Sequence, residues 1–408
     1  AVLALQHQTA PPNAQLRQLN QQVASSTADS HLVFSTHTTP LVRSKDQAMV
    51  AGLSSFGYSG TIAHVLLQEA DDTVYKRRKC TSTTAAAAVN HQTAAETVAG
   101  MVWQFSGQGT LCVNALRQVY DTQPAFKASM EACCAVLQRE LGCSVLDLLY
   151  PEADAAQETT SSALNETRIS QPVLVALQYS LAQAWLARGV LPEMMLGHSL
   201  GEYAAAVVAG VMGIEDCLRL VAARARIMQN STEGLGTMVA VRMTADEANA
   251  AIATANATES VSVAAVNGSR SIVLSGSDAE VARVLQLAGC TASSRKLNIS
   301  HAFHSPLMRS MLQEYRGVLE TVQLRAPSIR MVSTVGGSAE VNSVQYWLEH
   351  IVQPVHYLQA VQTAMRAGGS VLVEIGTDST LSRLAKAISF ELDRNAIERA
   401  FLSGAELL

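Results

Sequence analysis

An α/β fold is what this sequence predicts, with a mostly parallel sheet flanked by helices and a smaller unit inserted into it. Three observations carry the prediction. From Met101 onward, short apolar runs alternate with helical patterns, the mark of a parallel core. The stretch 237–297 reads strand, helix, strand, strand, helix, strand, and the α/β alternation resumes after it. The pentapeptide Gly197-His198-Ser199-Leu200-Gly201 stands where a buried strand gives way to a helix.

Residues 1–71 read as a mixed segment with Gly-rich turns, ending in "AGLSSFGYSGTIAHVLLQEA", where "AHVLL" has the pattern of a buried strand. Residues 72–100 carry a basic run at Lys76–Lys79 and a Thr/Ala tract without apolar period. They read as a connecting segment, and the basic run as a solvated face. "MVWQFSGQG" is then a strand closed by a Gly turn, and helical patterns follow over 113–140 and 171–188. "PEMMLGHS" reads as a buried parallel strand, and "GEYAAAVVAGVM" and "EDCLRLVAARARIMQN" as helices.

Within 237–297, "TMVAVRM", "SVSVAAV", "SIVLSG" and "ASSRKLNI" are strands, the middle two joined by "NGSR". "TADEANAAIATAN" is a helix capped by Thr, and "SDAEVARVLQLAG" one capped by Ser or Asp. This order is the ferredoxin-like signature. "RMVSTV" and "SVLVEIG" follow as strands, and "VQYWLEHI" and "YLQAVQTAMRAG" as helices. The large α/β part is thus 101–236 with 298–395, the insertion is 237–297, and 396–408 is a tail.

Composition narrows the function. The 408 residues suffice for more than one full core. Apolar residues make up 48%, charged residues 15%, and the net charge is −5, which speaks against nucleic acid or an anionic membrane as partner. No apolar run reaches the about 18 residues of a membrane span. The first residues lack the pattern of a secretory signal, and position 1 is not Met, so the chain reads as a piece of a longer polypeptide. Its seven Cys form no CxxC pair and no zinc spacing. They read as fillers or idle thiols in a reducing cytoplasm, with no metal expected.

The chemistry gathers at Ser199. The sharp turn of a G-x-S-x-G elbow, as in α/β-hydrolase-like sheets, leaves no room for side chains at the flanking positions, hence the glycines. It lifts the Ser hydroxyl above the sheet and aims free helix N–H groups at a developing oxyanion. A neutral hydroxyl needs a base. His198 is adjacent but should leave the elbow in another direction. His301 and His304, in "ISHAFHSPLM", follow the insertion on a loop able to fold over the elbow, and spacing does not choose between them.

"GHSLGEYAA", with "FSGQG" upstream and "HAFHSPLM" downstream, resembles the acyltransferase domain of a modular type I polyketide synthase, kin to malonyl-CoA:acyl carrier protein transacylases. The resemblance runs from about Met101 to about Leu392 and includes "ETRISQPVLVA", "VAARARIMQ" and "YWLEHIVQPVHY". It implies Ser199 as nucleophile and His304 as base, the latter oriented by a backbone carbonyl near Gln353. It implies an oxyanion hole from the N–H groups of Gln108 and Leu200. Arg224 matches the family's carboxylate-binding residue, and Gln171 is implied as a further substrate-binding residue. A guanidinium can clamp a malonyl carboxylate through two charge-assisted bonds. Arg226 is an equal candidate without the family match.

"HAFH", with Leu200 after the nucleophile, is like malonyl-selective members, and Phe303 becomes a wall where an α-methyl would sit. Such discrimination is worth about 1–3 kcal/mol. The resemblance implies malonyl-CoA as donor, no bound cofactor, and a phosphopantetheine thiol supplied by an acyl carrier protein. Arg295 and Lys296 could meet an acidic carrier, but they read first as ordinary solvated charges. Leu111 and "EIGTDSTL" depart from the family pattern but leave Ser199, His304 and Arg224 untouched.

Residues 1–71 resemble the end of a β-ketoacyl synthase, in which His64 matches a catalytic His while Ile62 replaces the usual Asn. The nucleophilic Cys of that family would lie upstream, so no condensation activity is expected of this piece. Two rivals share the features of the elbow: an esterase or thioesterase, and a degenerate docking domain.

Overall fold

The computed structural model describes residues 9–10, 38–41, 50–56, 62–68, 96–109, 111–151, 157–231, 235–299, 301–336, 340–392 and 399–408. The chain divides into two units, Ala1–Asn90 and His91–Leu408. In the first, strand β1 (Thr9–Ala10) pairs antiparallel with β2 (Thr39–Pro40). Strand β3 (Val50–Phe56) pairs antiparallel with β4 (Ile62–Gln68) in a register that sets Ser54 opposite His64. The side chains there, that of His64 and the burial expected of "AHVLL" included, lie outside the described residues, as does "KRRK".

The second unit opens with β5 (Glu96–Phe105), so the last residues read as connection belong to the sheet. Glu96–Val98 pair with Val190–Pro192 of β6 (Val190–Gly197), and the register shifts before Val102 meets Met194. Gly100 sits at this irregularity with φ 72, where a Cβ would lie 2.5 Å from Ser370 Oγ. The start of β5 is exposed and has no apolar period, so nothing in its sequence announced a strand.

Strands β7 (Thr237–Val241), β8 (Val261–Gly268), β9 (Ser271–Gly276) and β10 (Arg295–Lys296) form an antiparallel sheet, ordered β10-β7-β9-β8 among the described residues. With helices Ala245–Thr254 and Asp278–Leu287 this is the ferredoxin-like order, closed on its own core of Val239, Ile252, Leu274 and Val284. Thr244 caps the first helix in a reciprocal box with Glu247. Ser277 precedes the second without a side-chain cap bond. "ASSRKLNI" keeps only its two exposed strand residues, after a 3-10 turn at Thr291–Ser293.

The main sheet is completed by β11 (Arg330–Met331), β12 (Val371–Ile375) and β13 (Ala400–Ser403). Among the described residues its order is β11-β6-β5-β12-β13, and every pair is parallel. "RMVSTV" forms only a two-residue strand: Val332 N–H still bonds to Met195 O at 2.7 Å, and farther on Val335 bridges to Val355. The tail, in contrast, supplies β13, which lies beside β12 with Ala400 opposite Val371.

Val102, Trp103, Met194, Met195, Leu372 and Val373 fill the sheet interior. Helix Thr167–Leu186 packs against it, starting before the expected 171 and carrying Pro172 inside. Pro favours a first turn, which draws a sequence reading to a later start. The segments Leu312–Leu319 and Thr380–Leu392 are also helical. No helix among the described residues is long and apolar enough to cross a membrane.

Candidate active site

Register delivers the site. β5 and β6 run parallel with Phe105 opposite Gly197, so the loop after β5 emerges beside the elbow after β6. Ser199 adopts φ 50, the left-handed region that a β-carbon disfavours. The turn is held by His198 N–H to Phe105 O at 2.8 Å and Gly201 N–H to His198 O at 3.1 Å. A Cβ on Gly197 would lie 2.2 Å from Glu202 N, and one on Gly201 2.2 Å from Phe105 O. Both glycines are therefore required by backbone approach, as the pentapeptide predicted.

Ser199 Oγ lies 2.7 Å from His304 Nε2, and His304 Nδ1 lies 2.9 Å from Gln353 O. A carbonyl only accepts, so Nδ1 carries the hydrogen and Nε2 turns a lone pair to the hydroxyl. Burial, reinforced by the positive charge of Arg224, pushes the His304 pKa down to about 3. The imidazole thus stands neutral and ready to accept a proton. Of the histidines that spacing left open, His304 is the one that meets Ser199: His301 stacks on Phe303 with ring centroids 5.9 Å apart, and His198 turns to Asn267 Oδ1 at 2.8 Å.

A Cβ on Gly107 would stand 2.9 Å from His198 Nδ1, so the "FSGQG" loop lies directly on the elbow. The backbone N–H groups of Gln108 and Leu200 have no acceptor among the described residues. The Gln108 amide receives Gln171 Nε2 at 3.0 Å and donates to Ser170 Oγ at 3.1 Å. Gln171 in turn accepts from Arg224 Nη1.

Arg224 is 2% exposed, pairs with no carboxylate among the described residues, and has an unpartnered buried Nε. Its guanidinium lies 5.5 Å from the centroid of the Tyr203 ring, whose hydroxyl meets Tyr315 Oη at 2.7 Å. Arg226 is exposed, which separates the two candidates. A buried cation without a counter-charge is costly unless an anion completes the site.

Several contributors went unread in the sequence. The insertion reaches in: Ser262 Oγ donates to His304 O at 2.6 Å, and Asn267 holds His198. His350 Nε2 lies 3.0 Å from Ser199 O. Glu202 is wholly buried and receives the Tyr346 hydroxyl, with Thr334 Oγ1 at 2.8 Å. Only its place in "GHSLGE" hinted at Glu202, and "VQYWLEHI" read simply as a helix. No cluster of His, Cys, Asp or Glu among the described residues is arranged for a metal ion.

Residues 102–397 match the family described as "Acyl transferase domain", and the chain belongs to that family. It is 37% identical over 286 residues to polyketide synthase GfsA of Streptomyces halstedii, covering 69% of this chain and 4% of that protein. It is 36% identical over 284 residues to the phenolphthiocerol synthesis polyketide synthase type I Pks15/1 of Mycobacterium marinum, covering 68% of this chain and 13% of the relative. The chain therefore spans a small part of the curated relatives it matches.

Among solved structures, the acyltransferase domain from the second module of the salinomycin polyketide synthase is similar, with 35% identity and a TM-score of 0.65. That likeness covers 75% of this chain and 68% of the other. An acyl carrier protein S-malonyltransferase from Vibrio cholerae O1 is similar at 26% identity and a TM-score of 0.66, over 74% of this chain and 96% of the other. The chain is an acyltransferase domain of the kind found in type I polyketide synthases.

Proposed function

We propose that this domain moves a malonyl unit from malonyl-CoA to the phosphopantetheine thiol of an acyl carrier protein by way of an ester on Ser199. The observation that carries the proposal is the 2.7 Å Ser199–His304 contact beside a buried Arg224 that meets no carboxylate among the described residues. Ser199 Oγ attacks the thioester carbonyl as its proton passes to His304 Nε2. The oxyanion rests on the N–H groups of Gln108 and Leu200. The C–S bond then breaks, CoA leaves as the thiol with the proton from His304, and malonyl-Ser199 remains. The carrier thiol next gives its proton to His304 and attacks the ester, and Ser199 recovers its proton.

Arg224, held by Gln171, binds the malonyl carboxylate, and Phe303 crowds an α-methyl. Gln353 O keeps the His304 tautomer. The first unit is proposed as the end of a β-ketoacyl synthase. The likeness to the Vibrio cholerae acyl carrier protein S-malonyltransferase supports both the acyl group and the partner. Intact-mass measurement after exposure to a panel of acyl-CoAs tests the reading. Malonyl on Ser199, absent from S199A and passed on to a carrier protein, is the expected result. Release of free malonate in place of transfer would make the domain a thioesterase.

A further inference from the structure

Buried beneath the elbow is a polar cluster that the steps above do not use. His350, on helix Val344–Val352, is 1% exposed and lies 3.0 Å from Ser199 O through Nε2. Glu202 Oε2 is 3.6 Å from the same nitrogen. Thr334 Oγ1 lies 2.9 Å from Gly197 O and 2.8 Å from Glu202 Oε2. Two carbonyls flanking His198, those of Gly197 and Ser199, are thus gripped from one cluster.

Resting on the acyl-transfer reading, we propose that His350 is a positioning residue: its Nε2–H, donated to the Ser199 carbonyl, holds the elbow where Oγ faces His304. The proton inventory supports this. Ser199 O only accepts, so the hydrogen of a neutral His350 ring must sit on Nε2. Nδ1 has no partner among the described residues, as the lone-pair nitrogen of that tautomer. Burial, with Arg224 and His304 nearby, holds the ring well below the ordinary histidine pKa and hence neutral.

Thr334 has one hydrogen for two oxygens, and the cluster balances when Glu202 is a neutral acid. Its Oε2–H then donates to Thr334, which donates to Gly197 O. Burial raises the Glu202 pKa to about 7, in keeping with that state. The Ser199 carbonyl already receives Glu202 N–H at 2.9 Å, so His350 is not needed to satisfy it. What the second donor adds is direction, on a residue whose φ of 50 is otherwise disfavoured. Misplacing a nucleophile by about 1 Å costs on the order of 100-fold in rate.

The test compares H350Q with H350M in the full chain, two side chains of like shape of which only Gln keeps an N–H donor. Single-turnover acylation of Ser199 by malonyl-CoA is followed by rapid quench and intact mass. H350M is expected to acylate about 10- to 100-fold more slowly than wild type with KM changed less than about twofold, and H350Q to recover most of the rate. Equal rates in H350M and wild type, or H350Q as slow as H350M, would overturn the proposal.

Nitrogen-15 histidine NMR of the unmutated chain decides the matter should H350M not fold. A neutral Nε2–H tautomer of His350 supports the positioning role, and an Nδ1–H tautomer or an imidazolium refutes it. Absence of any acyl group on wild-type Ser199 would instead remove the functional reading itself.

Discussion

Arg224 and His304 sit in one small volume, and each makes the other's state intelligible. The guanidinium has no carboxylate partner among the described residues, and its charge helps to keep the imidazole neutral. R224A should lower kcat/KM for malonyl-CoA by about 10- to 100-fold, the worth of a charge-assisted hydrogen bond. Acetyl-CoA, which has no carboxylate to lose, should be spared, and steady-state kinetics with both donors checks this. H304A should slow Ser199 acylation by about 100- to 10,000-fold. In an NMR titration the His304 ring should remain neutral from pH 8 down to pH 5, since its folded pKa is about 3 against an ordinary 6.5. A ring charging near pH 6.5 would contradict the burial argument. F303A should raise the methylmalonyl-to-malonyl rate ratio by about 5- to 100-fold, the range one methyl group commands.

At the scale of elements, the elbow and the caps separate what backbone geometry demands from what it merely favours. G201A pushes a methyl to 2.2 Å from Phe105 O, a backbone atom of the adjacent strand that cannot swing away. It should cost about 1–3 kcal/mol or more, seen as a fall in Tm together with lost acylation. T244A removes one side of the capping box in the insertion and should cost about 1 kcal/mol in urea unfolding while acylation proceeds unchanged. The glycine elbow and the Thr cap were legible because each is local: G-x-S-x-G and a Thr at the head of a helical run state their geometry within five residues. The start of β5 and the tail strand β13 were not legible. Their edge residues are exposed or half-buried, and only pairing with β6 and β12 makes them strands.

Across the whole acyltransferase unit, buried ionisable groups set opposed limits on pH. Glu202 and Glu374 have folded pKa values raised by burial to about 7 from an ordinary 4.5. A raised acid stabilises fully below 4.5, and that contribution is lost as pH climbs through 7, because the unfolded chain gives up the proton first. His304 works the other way: its folded pKa lies below 6.5, so stability falls as pH drops from 6.5 toward 3. From these three groups calorimetry should show a maximum near pH 4.5, where the unfolded chain begins to release the two acid protons, and a shallower fall toward pH 7 in E202Q.

The amino-acid sequence by itself determined the α/β class, the ferredoxin-like insertion, the G-x-S-x-G turn at Ser199 and the resemblance that pointed to His304 and Arg224. These are written in short-range pattern, in turns, caps and periodic burial. Only the tertiary structure decided which histidine meets Ser199 through the bond geometry, which arginine is buried, and that His350, Glu202 and Thr334 gather beneath the elbow. Ser199 and His350 are far apart along the chain and meet only after the sheet has set its register. No local pattern encodes a hydrogen bond whose two ends are brought together by packing.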